Sequence, residues 1–252
     1  MDIIDIEGAE GQKPSDIWRN PTDVAKEIQD KQQPVDYPLI LGDNRVLFLA
    51  ESHSNYPIRK HIAQHAKDLK AAGITHYAIE AYETGNDFFD KLNKGKPVDL
   101  SKVDVGPGRA DYEEAIRAMA AQGIKVVAVD IDHATNPSRE EREARLTENI
   151  MRLLQEDPNS KVAVLIGGFH ALRYYVSRDV PSVGKRLMDA QAPAVNVYFA
   201  GGEDKMPTQL TDPVNKIGLG NREFMLDCRP YANSNSVPFG KGEADYIIHL
   251  PQ

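Results

Sequence analysis

Cysteine is almost missing from this chain: a single Cys228 among 252 residues excludes an internal disulfide and a cysteine-built zinc cage, and gives no sign of redox chemistry. Long apolar runs are missing as well. No window reaches the roughly 18 consecutive apolar residues of a membrane span. The amino terminus, Met1-Asp-Ile-Ile-Asp-Ile-Glu7, carries acid where a secretory signal carries base. These absences predict a cytoplasmic protein, or one secreted into a host cell by a system that uses no cleaved signal peptide; the polar residues 1–36 supply a segment for such a system to read. Basic charge is in deficit too, 30 Lys and Arg against 38 Asp and Glu, for a net charge of -8. A field that gathers phosphate backbones or anionic lipid is not expected, which argues against a nucleic-acid partner.

What remains is enough for a core, with 41% hydrophobic residues. Residues 1–36 are interrupted by Gly8, Gly11, Pro14, Pro21 and Pro34 and read as a flexible or peripheral arm with one short helix over 21–31. From 37 to 252, strand and helix signals alternate without internal repeats. That alternation predicts a single α/β domain with a mostly parallel central sheet flanked by helices on both faces. The expected strands are Arg45–Ala50, His76–Glu80, Lys125–Asp130, Lys161–Ile166, Ala194–Phe199 and Tyr246–Leu250. Helices are expected over 57–72, 110–122, 182–190 and from 138 to 154, the last opening on a capping box of Ser138 and Glu141. The stretch between Asp87 and Gly108 reads as loose.

In an open α/β sheet, ligand sites collect at the carboxyl ends of the strands. Here those ends carry ionisable groups: Glu51 and His53 after the first strand, Glu80 and Glu83 at the second, Asp130 and Asp132 at the third, and Gly167 to His170 after the most hydrophobic one. Carboxylates and imidazoles at buried strand ends need partners, and pairing tunes them for acid/base work. His53 or His170, oriented by Glu51 or Glu80, suits activation of a water. Arg59 is placed to neutralise a carboxylate, and the amides around Gly167 and Gly168 to approach a ligand or a developing oxyanion. The same donors, His53, Glu80 and His170, equally describe an open divalent-metal site.

These segments resemble the erythromycin esterase, ChaN and Tiki superfamily: Leu49-Ala-Glu-Ser-His53, Ile79-Glu80 and Gly167-Gly-Phe-His170 stand in the family's order, and Ala244-Asp-Tyr-Ile-Ile resembles its last strand. Ala50 departs from the glycine of many members. The family includes lactone-hydrolysing esterases, haem-binding lipoproteins, metal-dependent peptidases and a domain of a bacterial toxin. The resemblance implies His53 as general base, Glu51 and Glu80 as supporting acids, Arg59 as a site arginine and His170 as second histidine. It implies first a hydrolase acting on an ester, lactone or related carbonyl of a small-molecule substrate, with no cofactor required. The alternatives are a haem- or metal-binding module without turnover, and a secreted effector or toxin domain that meets a host-cell protein.

Other polar residues read as structural. Asp130 and Asp132 suit Asx caps, and His61 and His65 lack the glutamate of a zinc-protease helix. Ser52 has no nucleophile elbow, Tyr174 and Tyr175 are expected to pack on the sheet, and the charged run Arg139 to Arg145 is expected to be a solvated helix face.

Overall fold

The structure, a computed structural model, describes residues 21–105, 108–177, 179–202, 213–231 and 244–251. Helices α1 (Pro21–Lys31) and α2 (Tyr37–Leu41) precede β1 (Val46–Glu51), and α3 (Pro57–Gln64) with α4 (Ala66–Ala71) leads to β2 (His76–Tyr82). Then α5 (Asn86–Asn93) and α6 (Arg109–Ala121) lead to β3 (Lys125–Asp130), and α7 (Arg139–Glu156) to β4 (Val162–Gly167). The short helix α8 (Gly168–Ala171), the ribbon β5 (Tyr175–Ser177) and β6 (Val180–Pro181), and α9 (Val183–Asp189) come before β7 (Ala194–Gly201), with β8 (Phe224–Asp227) and β9 (Tyr246–Leu250) last.

Seven strands form one sheet in the order β3-β2-β4-β1-β7-β9-β8. Every neighbouring pair is parallel except β8 with β9. The central strands are buried on both faces, and their alternate residues divide the core in two. Leu47, Leu49, Ile79 and Leu165 meet Ile58, Ile62 and Ile116 from α3 and α6 on one face. On the other, Val46, Phe48, Val164 and Ile166 meet Leu146 and Ile150 of α7 and Leu187 of α9. This is the parallel sheet with helices on both faces that the alternating pattern predicts.

Three elements depart from expectation. The helix predicted over 57–72 breaks at His65, which ends α3 and opens α4. The stretch read as loose contains α5, whose two asparagines act as strand surrogates. Asn86 pairs with the backbone of Ala128 through both amide atoms, and Asn93 does the same for Val126. They close the exposed edge of β3, which otherwise presents unpaired backbone groups. Finally, β8 adds an antiparallel edge, and Gln33 bridges to its Met225 while Ile28 of α1 packs beneath Phe224 and Leu226. Of the amino-terminal arm, residues 1–20 lie outside the described residues.

Candidate functional site

Strand β1 is buried along its whole length and delivers Glu51 into the interior. Four donated hydrogen bonds meet its carboxylate: Arg59 Nε at 3.1 Å, Arg59 Nη2 at 3.0 Å, Tyr112 Oη at 2.9 Å and His53 Nδ1 at 2.9 Å. Arg59 is fully buried, and its guanidinium lies 3.7 Å from the centre of the Tyr112 ring. The backbone closes over it at Gly108, where φ is +72° and an added Cβ would stand 2.4 Å from Arg59 Nη1. A left-handed conformation and absent side-chain volume are both needed there. Burial pushes the Glu51 carboxyl up, but the hydrogen bonds from His53 and Arg59 outweigh it and hold it below the usual value. The Glu51 hydrogen bond in turn raises His53 above the ordinary imidazole value, against its desolvation.

That arrangement fixes the His53 tautomer. With Nδ1–H given to Glu51, the Nε2 lone pair is free, and half of the ring is exposed. His53 Nε2 lies 3.8 Å from Glu80 Oε1, and His170 Nε2 lies 3.6 Å from the same oxygen. The two imidazoles therefore face one carboxylate from two strand ends. The glycine of β4 is what permits the approach: an added Cβ at Gly167 would meet His53 Nε2 at 3.1 Å and Glu80 Oε2 at 3.4 Å. Its amide donates to Glu80 Oε2 at 2.7 Å. The Gly167 N–H, expected to approach a ligand, is instead committed to holding Glu80. Gly168 packs instead against Tyr198, whose hydroxyl donates to its carbonyl at 2.9 Å.

The charged run on α7 is a solvated face only in part: Arg139, Glu140 and Glu141 are exposed, whereas Arg142 and Glu143 turn inward. Arg142 binds Asp130 through Nε and Nη2 and donates to Glu80 as well, tying the ends of β2 and β3 together. Arg145 holds Glu83 at 2.8 Å, so the partners of Glu83 are arginines of α7 rather than the His53 group. Glu143 is buried, with one oxygen 2.6 Å from His170 Nδ1, close but not aligned as a hydrogen bond, and the other accepting from the Val183 amide at 3.0 Å. Asp130 accepts the Ile131 amide and carries the Arg142 pair besides, whereas Asp132 caps its turn as expected, accepting from Ala134 N at 2.8 Å. Tyr175, expected against the sheet, is exposed on the β5 ribbon.

The structure brings His53, Glu51, Arg59, Glu80 and His170 together and adds Tyr112, Arg142 and Glu143. Arg142 and Glu143 were legible in principle. The buried stripe of α7 runs through Leu146, Asn149, Ile150 and Leu153, and both residues continue it one turn earlier. As a metal site the group is poorly suited, since the Arg142 guanidinium already neutralises Glu80. His61 and His65 meet Glu223 elsewhere.

No protein-family model matches the sequence, and no curated protein matches it. Solved structures do match. The type III effector HopBA1 aligns with a TM-score of 0.53 at 16% identity, over 88% of this chain and 97% of that one. Its fold is shared with bacterial effectors and toxins. A structure described as bacterial protein toxins aligns with a TM-score of 0.52 at 19% identity over 72% of this chain, which spans 41% of that longer one. A Bacillus cereus protein aligns with a TM-score of 0.61 at 10% identity, over 92% of this chain and 97% of that one. These likenesses are of fold. The erythromycin esterase, ChaN and Tiki resemblance rests on its three motifs alone.

Proposed function

We propose that this chain is a bacterial effector or toxin domain that acts inside a host cell, and that its site hydrolyses an ester, lactone or related carbonyl. The observation that carries the chemistry is the pair of imidazoles facing Glu80, one of them locked by Glu51 with its Nε2 free. In this reading His53 Nε2 takes a proton from water as the water attacks the carbonyl carbon. The imidazolium so formed is stabilised by Glu51 on one side and Glu80 on the other, and it returns the proton to the departing oxygen. Arg59 keeps Glu51 ionised, and Glu143 places a carboxylate 2.6 Å from Nδ1 of His170.

Phe169, between Gly168 and His170, is 78% exposed and offers an apolar contact beside the reacting group. The effector half of the reading is supported by the fold shared with HopBA1 and the toxin structure. Among the described residues no helix is long and apolar enough to cross a membrane.

Two experiments test the halves separately. The whole chain assayed against p-nitrophenyl esters and lactones should turn over at least one of them, and His53→Ala should lower that turnover by about 10²–10⁴-fold; wild-type turnover in His53→Ala would refute the mechanism. Residues 1–36 fused to a reporter should reach the host cytosol from bacteria in contact with cells. Retention of the reporter in the bacterium counts against the effector reading and leaves the chemistry standing.

A further inference from the structure

Where α3 breaks, a second histidine–carboxylate group is assembled from parts remote in sequence. His61 and His65 stand one turn apart, joined by the His65 amide to the His61 carbonyl at 3.0 Å, and their rings lie 4.3 Å apart between centroids. Glu223, the residue before β8, reaches both: one oxygen is 2.6 Å from His61 Nδ1, the other 2.9 Å from His65 Nε2. The three ligand-capable atoms all lie within 4.8 Å of one another. The remaining nitrogens are occupied. Tyr37 Oη lies 2.8 Å from His61 Nε2 and Asp68 Oδ2 lies 2.8 Å from His65 Nδ1. The Tyr37 and Phe199 rings wall the group on its buried side.

We infer that His61 Nδ1, His65 Nε2 and Glu223 form a binding site for a divalent transition metal, Zn²⁺ in the first instance. Two imidazoles and one carboxylate are a borderline-soft donor set that suits zinc. Histidines four apart on one helical face are a spacing that serves zinc elsewhere. The stronger argument is the outer layer. A metal-ligating histidine ordinarily gives its other ring N–H to a carboxylate or another oxygen, which fixes the ring and its tautomer. Both histidines have that partner in place.

In the metal-free state the carboxylate stands where an ion would, accepting the ring protons that face it. Zinc–ligand bonds of about 2.0–2.1 Å put neighbouring donors roughly 3.3 Å apart, so the three donor atoms, within 4.8 Å of one another without the ion, close around it by side-chain adjustment. His65 keeps Nδ1–H toward Asp68 and its Nε2 proton leaves to solvent as the ion binds, while His61 frees Nδ1 by taking up the tautomer with N–H on Nε2, directed at Tyr37 Oη. The fourth position is left to water. Occupied, the site ties the junction of α3 and α4, with α2 through Tyr37, to the start of the edge strand β8.

The test uses the full chain, stripped with a chelator and titrated with zinc chloride by calorimetry, with Co²⁺ absorption as a readout of geometry. One zinc per chain is expected, with a rise in melting temperature on loading. Glu223→Gln and His65→Gln should weaken binding by more than tenfold. Asp68→Asn, at a half-exposed side chain bonded to the His65 imidazole, should weaken it by about 10–100-fold, and it keeps the test valid should the Glu223 variant fail to fold. His53→Gln should bind zinc as the wild type does. Substoichiometric zinc, or wild-type affinity in Glu223→Gln, would overturn the site. Zinc lost in His53→Gln but kept in Glu223→Gln would overturn it as well, by placing the metal at the strand ends of β1 and β4.

Discussion

Two histidine–carboxylate groups stand at the same end of the sheet and differ in what supplies their positive charge. Around β1, β2 and β4, each central carboxylate is met by a guanidinium: Arg59 on Glu51 and Arg142 on Glu80. Beside β8, the described groups hydrogen-bonded to Glu223 are the two imidazoles. An arginine cannot give up its proton, so it neutralises the acid permanently and leaves His53 free to exchange a proton with a substrate. Imidazoles can surrender theirs, so the position between His61, His65 and Glu223 is exchangeable for a metal cation. The same residue types thus serve proton transfer in one place and ligand binding in the other, and arginine decides which.

The largest way to break this comparison is at His53. Its loss in His53→Ala should lower turnover of a responsive ester by about 10²–10⁴-fold, the range general-base catalysis contributes, while Glu223→Gln leaves turnover within a factor of two or so of wild type. Equal losses in both variants would merge the two sites. Next is Arg59→Met, which strands the buried Glu51 carboxylate. Removal of one member of a buried pair costs about 3–5 kcal/mol, read as a lower denaturant midpoint at unchanged slope. A loss below about 1 kcal/mol would mean that water reaches Glu51 and that the guanidinium is dispensable. Tyr112→Phe removes one donor from the same ionised carboxylate and should cost about 1.5–3 kcal/mol.

The smallest effect expected is on pH dependence. Glu51 and Glu223 both have carboxyls held below the ordinary glutamate value of 4.5. A depressed carboxyl adds stability above its unfolded value and loses it as pH falls through the folded one. The melting temperature should therefore fall from about pH 5 downward, and a flat profile to about pH 3 would contradict the paired state of both acids.

The parallel sheet was legible because its strands are buried on both faces and read as continuous apolar runs. Glu51, His53, Glu80 and His170 were legible because position at a strand end is itself informative. Tyr112 was not, and Glu143 was only in the periodicity of α7, not in its residue type. They come from helices far along the chain, and an acidic residue in a charged run looks the same in sequence whether it faces solvent or an imidazole. The asparagines of α5 misled for the opposite reason: they signal turns, yet here their amides complete a strand edge. Glu223 carried no local signal, since its role depends on where β8 lands.

The central claim is that Glu51 poises His53 as a base with Nε2 free. Its most direct test is an NMR titration of the His53 ring nitrogens in wild type and Glu51→Gln. The wild-type midpoint is expected above the ordinary 6.5, with Nδ1 holding the proton in the neutral form, and a downward shift is expected once the carboxylate is gone. A midpoint at or below 6.5, unmoved by Glu51→Gln, would contradict it.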